Sequence, residues 1–231
     1  MPVAAPARWI SARYRHAYLL VALGGVIFVR PIFDNRSWSV GLIDLTLLIT
    51  LVVGAASLVD NKRWFAPVAG LAALSALTQL VWVVWGGPPW LAYLGLSLSL
   101  TFCVTVACVF VFALLRYRGP IGVDTLCSAL SAYLLLGLAW AIAYVILESA
   151  SPGSFLFVND PPTPDARLDR LMGFSFATLT TLGYGNIAPN SARADALATL
   201  QAVVGQVYLA VIIARLVSLQ ITQRYAPPPG G

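Results

Sequence analysis

The sequence predicts an all-α membrane protein: six transmembrane helices, with a shorter re-entrant helix and an irregular loop between the fifth and the sixth. Three observations predict it. Of 231 residues, 59% are hydrophobic and 10% charged, a balance that a water-soluble domain of this size does not keep in solution. The apolar residues gather into runs bounded by charge, Pro or Gly, and roughly 20 such residues suffice to cross a hydrocarbon core. One further run, just before the last, is too short to cross.

In chain order the runs are 16–33, 40–59, 66–85, 90–115, 123–148 and 192–220. The first ends at Arg30-Pro31, so it spans only if Arg30 snorkels to the interface. The basic residues ahead of it resemble the start of a signal peptide, but no small-residue cleavage pattern follows Val29, and the segment reads as an uncleaved helix. Orientation follows from the basic residues. A path with both termini inside places Arg8, Arg13, Arg15, Lys62, Arg63, Arg116, Arg118, Arg215 and Arg224 in the cytoplasm, against Arg30, Arg36, Arg167, Arg170 and Arg193 outside. Trp9 and Trp64 then fall at the inner interface, with Trp38, Trp85 and Trp90 at the outer one, as interfacial tryptophans should. The expectation is a multi-pass protein of the cell membrane with membrane lipid as its surroundings. The formal charge of +5 is a topology signal on this reading, and no nucleic-acid partner is expected.

Residues 149–164, rich in Pro, Ser, Gly and Asp, read as an exposed outer loop. The apolar run at 170–181 measures ~18 Å as a helix, enough to enter the membrane and not to leave it on the far side. It is followed by Leu182-Gly183-Tyr184-Gly185-Asn186, and irregular backbone at membrane depth survives only where protein buries it or where it lines an aqueous path.

The stretch Thr180-Thr181-Leu182-Gly183-Tyr184-Gly185 resembles the filter of the potassium-channel family, and the general account of carbonyl selectivity was itself framed on loops of nearly this sequence. The likeness is closest over 123–220, and the whole chain is similar to the small bacterial six-helix potassium channels. It implies a homotetramer in which four copies of the Thr181, Leu182, Gly183 and Tyr184 carbonyls, with the Thr181 hydroxyl, replace the water around a permeant potassium ion. Successive carbonyls face one axis only if backbone handedness alternates, which Gly183 and Gly185 allow without steric cost. The resemblance further implies that Tyr184 points away from the ions, braced by Phe174 and Phe176, with Thr180 also supporting the filter. Asn186 stands where the family usually has aspartate, and Ala177 where some members have the glutamate that pairs with it, so the inactivation behaviour of relatives does not carry over. Gly205 follows Gly185 by twenty residues, where the family often has a flexible glycine; it serves either as a hinge or as a point of close helix packing. Leu209 and Ile213 continue its face as a cavity lining, and Ser218 and Ile221 approach the inner mouth. The implied domains are a four-helix membrane region at 1–118, a pore domain at 119–222 and a short tail at 223–231.

The run 90–115 carries no basic residue, whereas voltage sensing needs several, each contributing about 2.3 kcal/mol per 100 mV. Little intrinsic voltage dependence is expected. Cys103, Cys108 and Cys127 lie in apolar runs and read as buried small side chains, with neither a disulfide nor a metal site. Asp44 invites a functional reading, but Arg30 or Arg36 at the same depth offers an interfacial pair. Arg215 suits either the inner mouth or lipid phosphates, and His16 an interface. No paired carboxylates or nucleophile with a base appear, so no enzyme and no cofactor are expected. The competing readings are a poorly selective cation channel and a nonconducting modulatory subunit.

Overall fold

The computed structural model of the chain describes residues 15–32, 62–85, 88–119, 121–158 and 164–224. Six helices form among them: α1 (Arg15–Ile32), α2 (Lys62–Trp85), α3 (Pro89–Arg116), α4 (Val123–Ala150), α5 (Pro164–Leu179) and α6 (Ala192–Arg224). Two short strands, β1 (Phe155–Phe157) and β2 (Ile187–Pro189), flank α5 in sequence.

Local chemistry sets the helix ends. Pro89 opens α3 at a position where its missing N–H costs nothing. The turn between α3 and α4 is extended at Tyr117, and Asp124 in the first turn of α4 faces that helix's positive end. Ser191 caps α6, its Oγ accepting from the Ala194 N–H at 3.2 Å, which satisfies one of the orphan donors of a first turn.

Three helices among the described residues are long and apolar enough to cross a membrane: Trp90–Arg116, Val123–Ala150 and Ala192–Ile221. They match the fourth, fifth and sixth expected spans. The first and third expected spans contain the shorter apolar stretches His16–Gly25 and Ala66–Trp82. The second, at 40–59, lies outside the described residues, as do Asp44 and Arg36.

Helix α4 is the hub. It packs on α3, α1 and α5, and α5 in turn lies against α6. The main core joins Phe102, Val106 and Phe110 of α3 to Leu135, Leu138 and Ile142 of α4, with Leu19 and Leu23 of α1 and Ile212 of α6 around them. A smaller core of Tyr144, Phe155, Leu171, Ile187 and Ala194 lies at the other end of α4, beside the strands.

Several expectations are corrected. The short helix expected at 170–181 is α5, which begins at Pro164 and ends at Leu179; Pro at a helix start is favourable, so polar residues ahead of the apolar run still join the helix. The segment 149–164 is only partly an exposed loop. Ser154 and Phe155 are buried, because β1 pairs antiparallel with β2 in the register Phe155↔Pro189, Leu156↔Ala188, Phe157↔Ile187. Cys103 and Cys127 are buried but Cys108 is exposed, since α3 is apolar on every face and only part of its girth meets protein.

Candidate functional site

The loop from Thr180 to Asn186 starts where α5 runs out, and the last carbonyls of that helix determine how it leaves. A helix ends with four carbonyls lacking intrahelical partners, and here each finds one. The Phe176 carbonyl accepts from the Thr180 N–H at 3.0 Å and the Thr180 hydroxyl at 2.7 Å. The Ala177 carbonyl accepts from Leu182 at 2.8 Å and Gly183 at 3.2 Å, and the Thr178 carbonyl from Thr181 at 3.1 Å. The Leu179 carbonyl accepts from the hydroxyl of Tyr133, on α4, at 3.0 Å. The chain therefore doubles back tightly over the end of α5 before running on.

That doubling back carries an alternation. Thr181, Gly183 and Gly185 have φ of 60°, 59° and 72°, while Leu182 and Tyr184 between them do not adopt positive φ. Alternating handedness turns successive peptide planes to the same side, as the glycines were expected to permit. Thr181 was not expected to join them: a β-branched residue at positive φ is an outlier, costing of order 1–3 kcal/mol. Two features hold it there. Its own N–H is fixed on Thr178, and the next two N–H groups share the Ala177 carbonyl. The Thr181 hydroxyl also donates to the Thr180 carbonyl at 2.6 Å.

Every residue from 180 to 186 is exposed in the single chain. Tyr184, at 74% exposure, is not braced by Phe174 and Phe176 of its own chain, which corrects the expectation. Those rings are engaged elsewhere. Phe174 stacks with Tyr144 and Phe155, at centroid distances of 5.3 and 5.6 Å. Phe176 lies over Gly137, where a Cβ would stand 2.4 Å from its ring. Ala177 is buried and acts through its carbonyl, while Asn186 is exposed and its carbonyl accepts from Val158 at 3.1 Å.

A buried polar chain sets the height of α5. The Ser175 hydroxyl donates to the Gly137 carbonyl at 2.7 Å. Gln201 of α6 donates to the Ser175 carbonyl at 3.0 Å and its hydroxyl at 2.8 Å, and accepts a short hydrogen bond from Tyr144. Ser175, Gln201 and Tyr144 are fully buried. Three helices thus share one network. Sequence reading missed it, although an amide in mid-span at Gln201 was the available signal, because polar groups inside a membrane helix need partners.

At the other end of the loop, Glu148 is the anchor. Only 4% exposed, it accepts from the N–H groups of Gly153 at 3.0 Å and Phe155 at 3.1 Å, and pairs with Arg167 at 3.5 Å. The Asn190 side chain donates to the Gly153 carbonyl and its N–H to the Ser154 carbonyl. The segments before and after the loop are strapped together.

Below the loop, Gly205 packs closely. A Cβ there would lie 2.8 Å from the Leu179 side chain and 2.9 Å from its carbonyl oxygen, and α6 is unbroken through it. Leu209 is half-buried against the main core, whereas Ile213, Ser218 and Ile221 are exposed. Arg215 donates to the Tyr117 carbonyl at 2.6 Å. His16 faces Asp124 at 3.6 Å and packs edge-on against Phe110. Among the described residues no three His, Cys, Asp or Glu side chains gather as metal ligands.

Residues 130–221 match the family model described as Ion channel. No curated protein and no solved structure matches the chain. The matched region contains the loop, both helices that hold it, and the polar chain through Gln201.

Proposed function

We propose, from the match of residues 130–221 to the family model described as Ion channel, that this chain is a subunit of a homotetrameric channel passing potassium passively through Thr181, Leu182, Gly183, Tyr184 and Gly185. The observation that carries the reading is the alternation of φ at Thr181, Gly183 and Gly185. A dehydrated monovalent cation needs oxygens at similar distances on all sides, and one chain cannot surround it. Four copies of a loop with its carbonyls turned to one side can.

Exposure supports assembly with other copies. The stretch 180–186 follows the short helix α5 and is uncovered in the single chain, yet lipid cannot satisfy irregular backbone. Other copies of the chain would cover it, with Tyr184 packing against a neighbour and the carbonyls facing an aqueous axis. The carboxyl end of α5 adds partial negative charge behind the loop, which favours a cation. No charged residue lies in α3 before Arg116, so voltage contributes little to opening. The channel lies in the cell membrane with both termini in the cytoplasm.

Rubidium uptake into potassium-loaded liposomes containing the purified protein tests the proposal. Uptake is expected, with bi-ionic reversal potentials favouring potassium over sodium. Gly183→Ala should reduce uptake to background without disturbing the tetramer, because alanine does not take up positive φ freely although the site has room for its Cβ. Reversal near zero under bi-ionic conditions would replace this reading with a poorly selective channel. Tetramers that pass no rubidium would make the chain a modulatory subunit.

A further inference from the structure

A groove of about 470 Å³ runs between α3 and α6, with Cys108, Phe112 and Leu115 on one wall and Val203, Val207 and Val211 on the other. Both helices are long and apolar enough to span, and both run in the same direction. From Val203 to Val211 the groove extends ~12 Å along α6, close to the ~15 Å that one leaflet contributes to a ~30 Å hydrocarbon core. Its depth suits an acyl chain from one leaflet.

The residues that prolong each wall are cations. Arg116 is one turn beyond Phe112 on α3, and its guanidinium lies over that ring at 4.0 Å. Arg215 is one turn beyond Val211 on α6 and reaches the Tyr117 carbonyl at 2.6 Å. Arg118, exposed, follows Tyr117. The guanidinium groups of Arg116 and Arg215 therefore stand at one end of the groove, and Arg118 belongs to the turn beside them. None of them forms an ion pair among the described residues, and the Nε of Arg215, although shielded, has no hydrogen-bond partner there.

We infer that this groove and its arginines form a binding site for an anionic phospholipid, the phosphate held by Arg116, Arg118 and Arg215 and one acyl chain lying between α3 and α6. A second copy of the chain is the competing occupant, and charge disfavours it. Glu148, Asp169 and Asp195 belong to the opposite end of the helices, and Asp124 is engaged by His16. A neighbouring copy offers no uncommitted carboxylate at this level among the described residues. The anionic headgroup supplies what the protein lacks, at the height where the walls turn from apolar to basic. The site is separate from the filter and does not depend on which ion the channel passes.

Phosphatidylglycerol and phosphatidylcholine with the same photoactivatable acyl chain, each in nanodiscs with the full chain, test the proposal by mapping attachment sites. Phosphatidylglycerol should label 108–115 and 203–211 at least about tenfold more than phosphatidylcholine, since each basic residue near a surface attracts anionic lipid. The combined Arg116→Gln, Arg118→Gln and Arg215→Gln variant should bring the two lipids to parity. Val207→Trp, which fills the groove, should clear both from these segments while leaving rubidium uptake in place. Equal labelling by the two lipids in the unaltered protein overturns the proposal. So does attachment of a photolabel on Cys108 to a second copy of the chain in place of lipid.

Discussion

Polar side chains in α4, α5 and α6 and those in α3 meet the same requirement in opposite ways. Around the loop, the hydroxyls of Tyr133, Tyr208 and Ser175 and the amide of Gln201 all bond to a different element from their own. On α3, Ser97, Thr101 and Thr105 each donate to the carbonyl four residues earlier in their own helix, at 2.7 Å in every case. Neither arrangement leaves a donor unmet in hydrocarbon. Only the first fixes one helix against another. The distinction also appears within α3, where Ser99 does cross to α2 and shares Ser75 and Gln79 in a buried cluster. The loop region is thus held to a defined height by directional bonds, whereas on the outward face of α3 the Tyr93 hydroxyl crosses to the Ser149 carbonyl at 3.0 Å and the hydroxyls of Ser97, Thr101 and Thr105 bond to no other element.

The largest expected break of this contrast is Gly137→Ala. A Cβ would lie 2.4 Å from the Phe176 ring, and the ring cannot retreat without moving α5, which the Ser175 bond to the same Gly137 holds in place. Overpacking of this kind costs about 1–3 kcal/mol. The protein should melt at lower temperature by fluorescence-detected size exclusion, and rubidium uptake should fall with it. Phe176→Leu in the same chain should recover most of both. Uptake and melting unchanged in the single variant would mean that α5 is free to shift, contrary to the network described.

A smaller effect is expected at Gln201→Leu. Leucine keeps the volume but leaves the Tyr144 hydroxyl without its acceptor and the Ser175 carbonyl without its donor. Interhelical hydrogen bonds in membranes average about 0.6 kcal/mol and reach about 1.7, so loss of the shared amide should cost about 1–2 kcal/mol. Tyr144→Phe with Gln201→Leu should cost little more than Gln201→Leu alone, a non-additivity that a thermal-stability cycle reads directly. Full additivity would show that the two side chains act independently.

These two sites also mark what was legible in the sequence. The spans at 90–115, 123–148 and 192–220 agree closely with α3, α4 and α6, because runs of apolar residues bounded by Pro, Gly and Arg carry their own ends. Positive φ at Gly183 and Gly185 follows from residue type. Positive φ at Thr181 does not, since it is imposed by bonds to Thr178 and Ala177 that only the folded turn creates. The β1–β2 pairing rests on two strands of three residues, too short to leave an alternating pattern. Exposure of Cys108 was hidden for another reason: helices apolar on every side show no periodic face, so their sequence does not reveal which flank meets protein. Gly205 illustrates the same limit. Residue type allowed a hinge or a contact, and the proximity of Leu179 shows the contact.

The smallest expected effect is on α3 itself. Replacing Ser97, Thr101 and Thr105 together by Ala, Val and Val removes three hydroxyls whose bonds return to their own helix. Such back-bonds slightly weaken and bend a helix when present, and β-branched Val costs little in helix propensity relative to Thr. No partner on another element loses a bond, so stability should change by less than about 0.5 kcal/mol, with uptake unaltered. The same number of hydroxyls removed at Tyr133, Ser175 and Tyr208 should destabilise the protein several-fold more. A comparable loss from both sets would mean that the α3 hydroxyls also bond outward, to a group that does not belong to the single chain, and would make that face an interface.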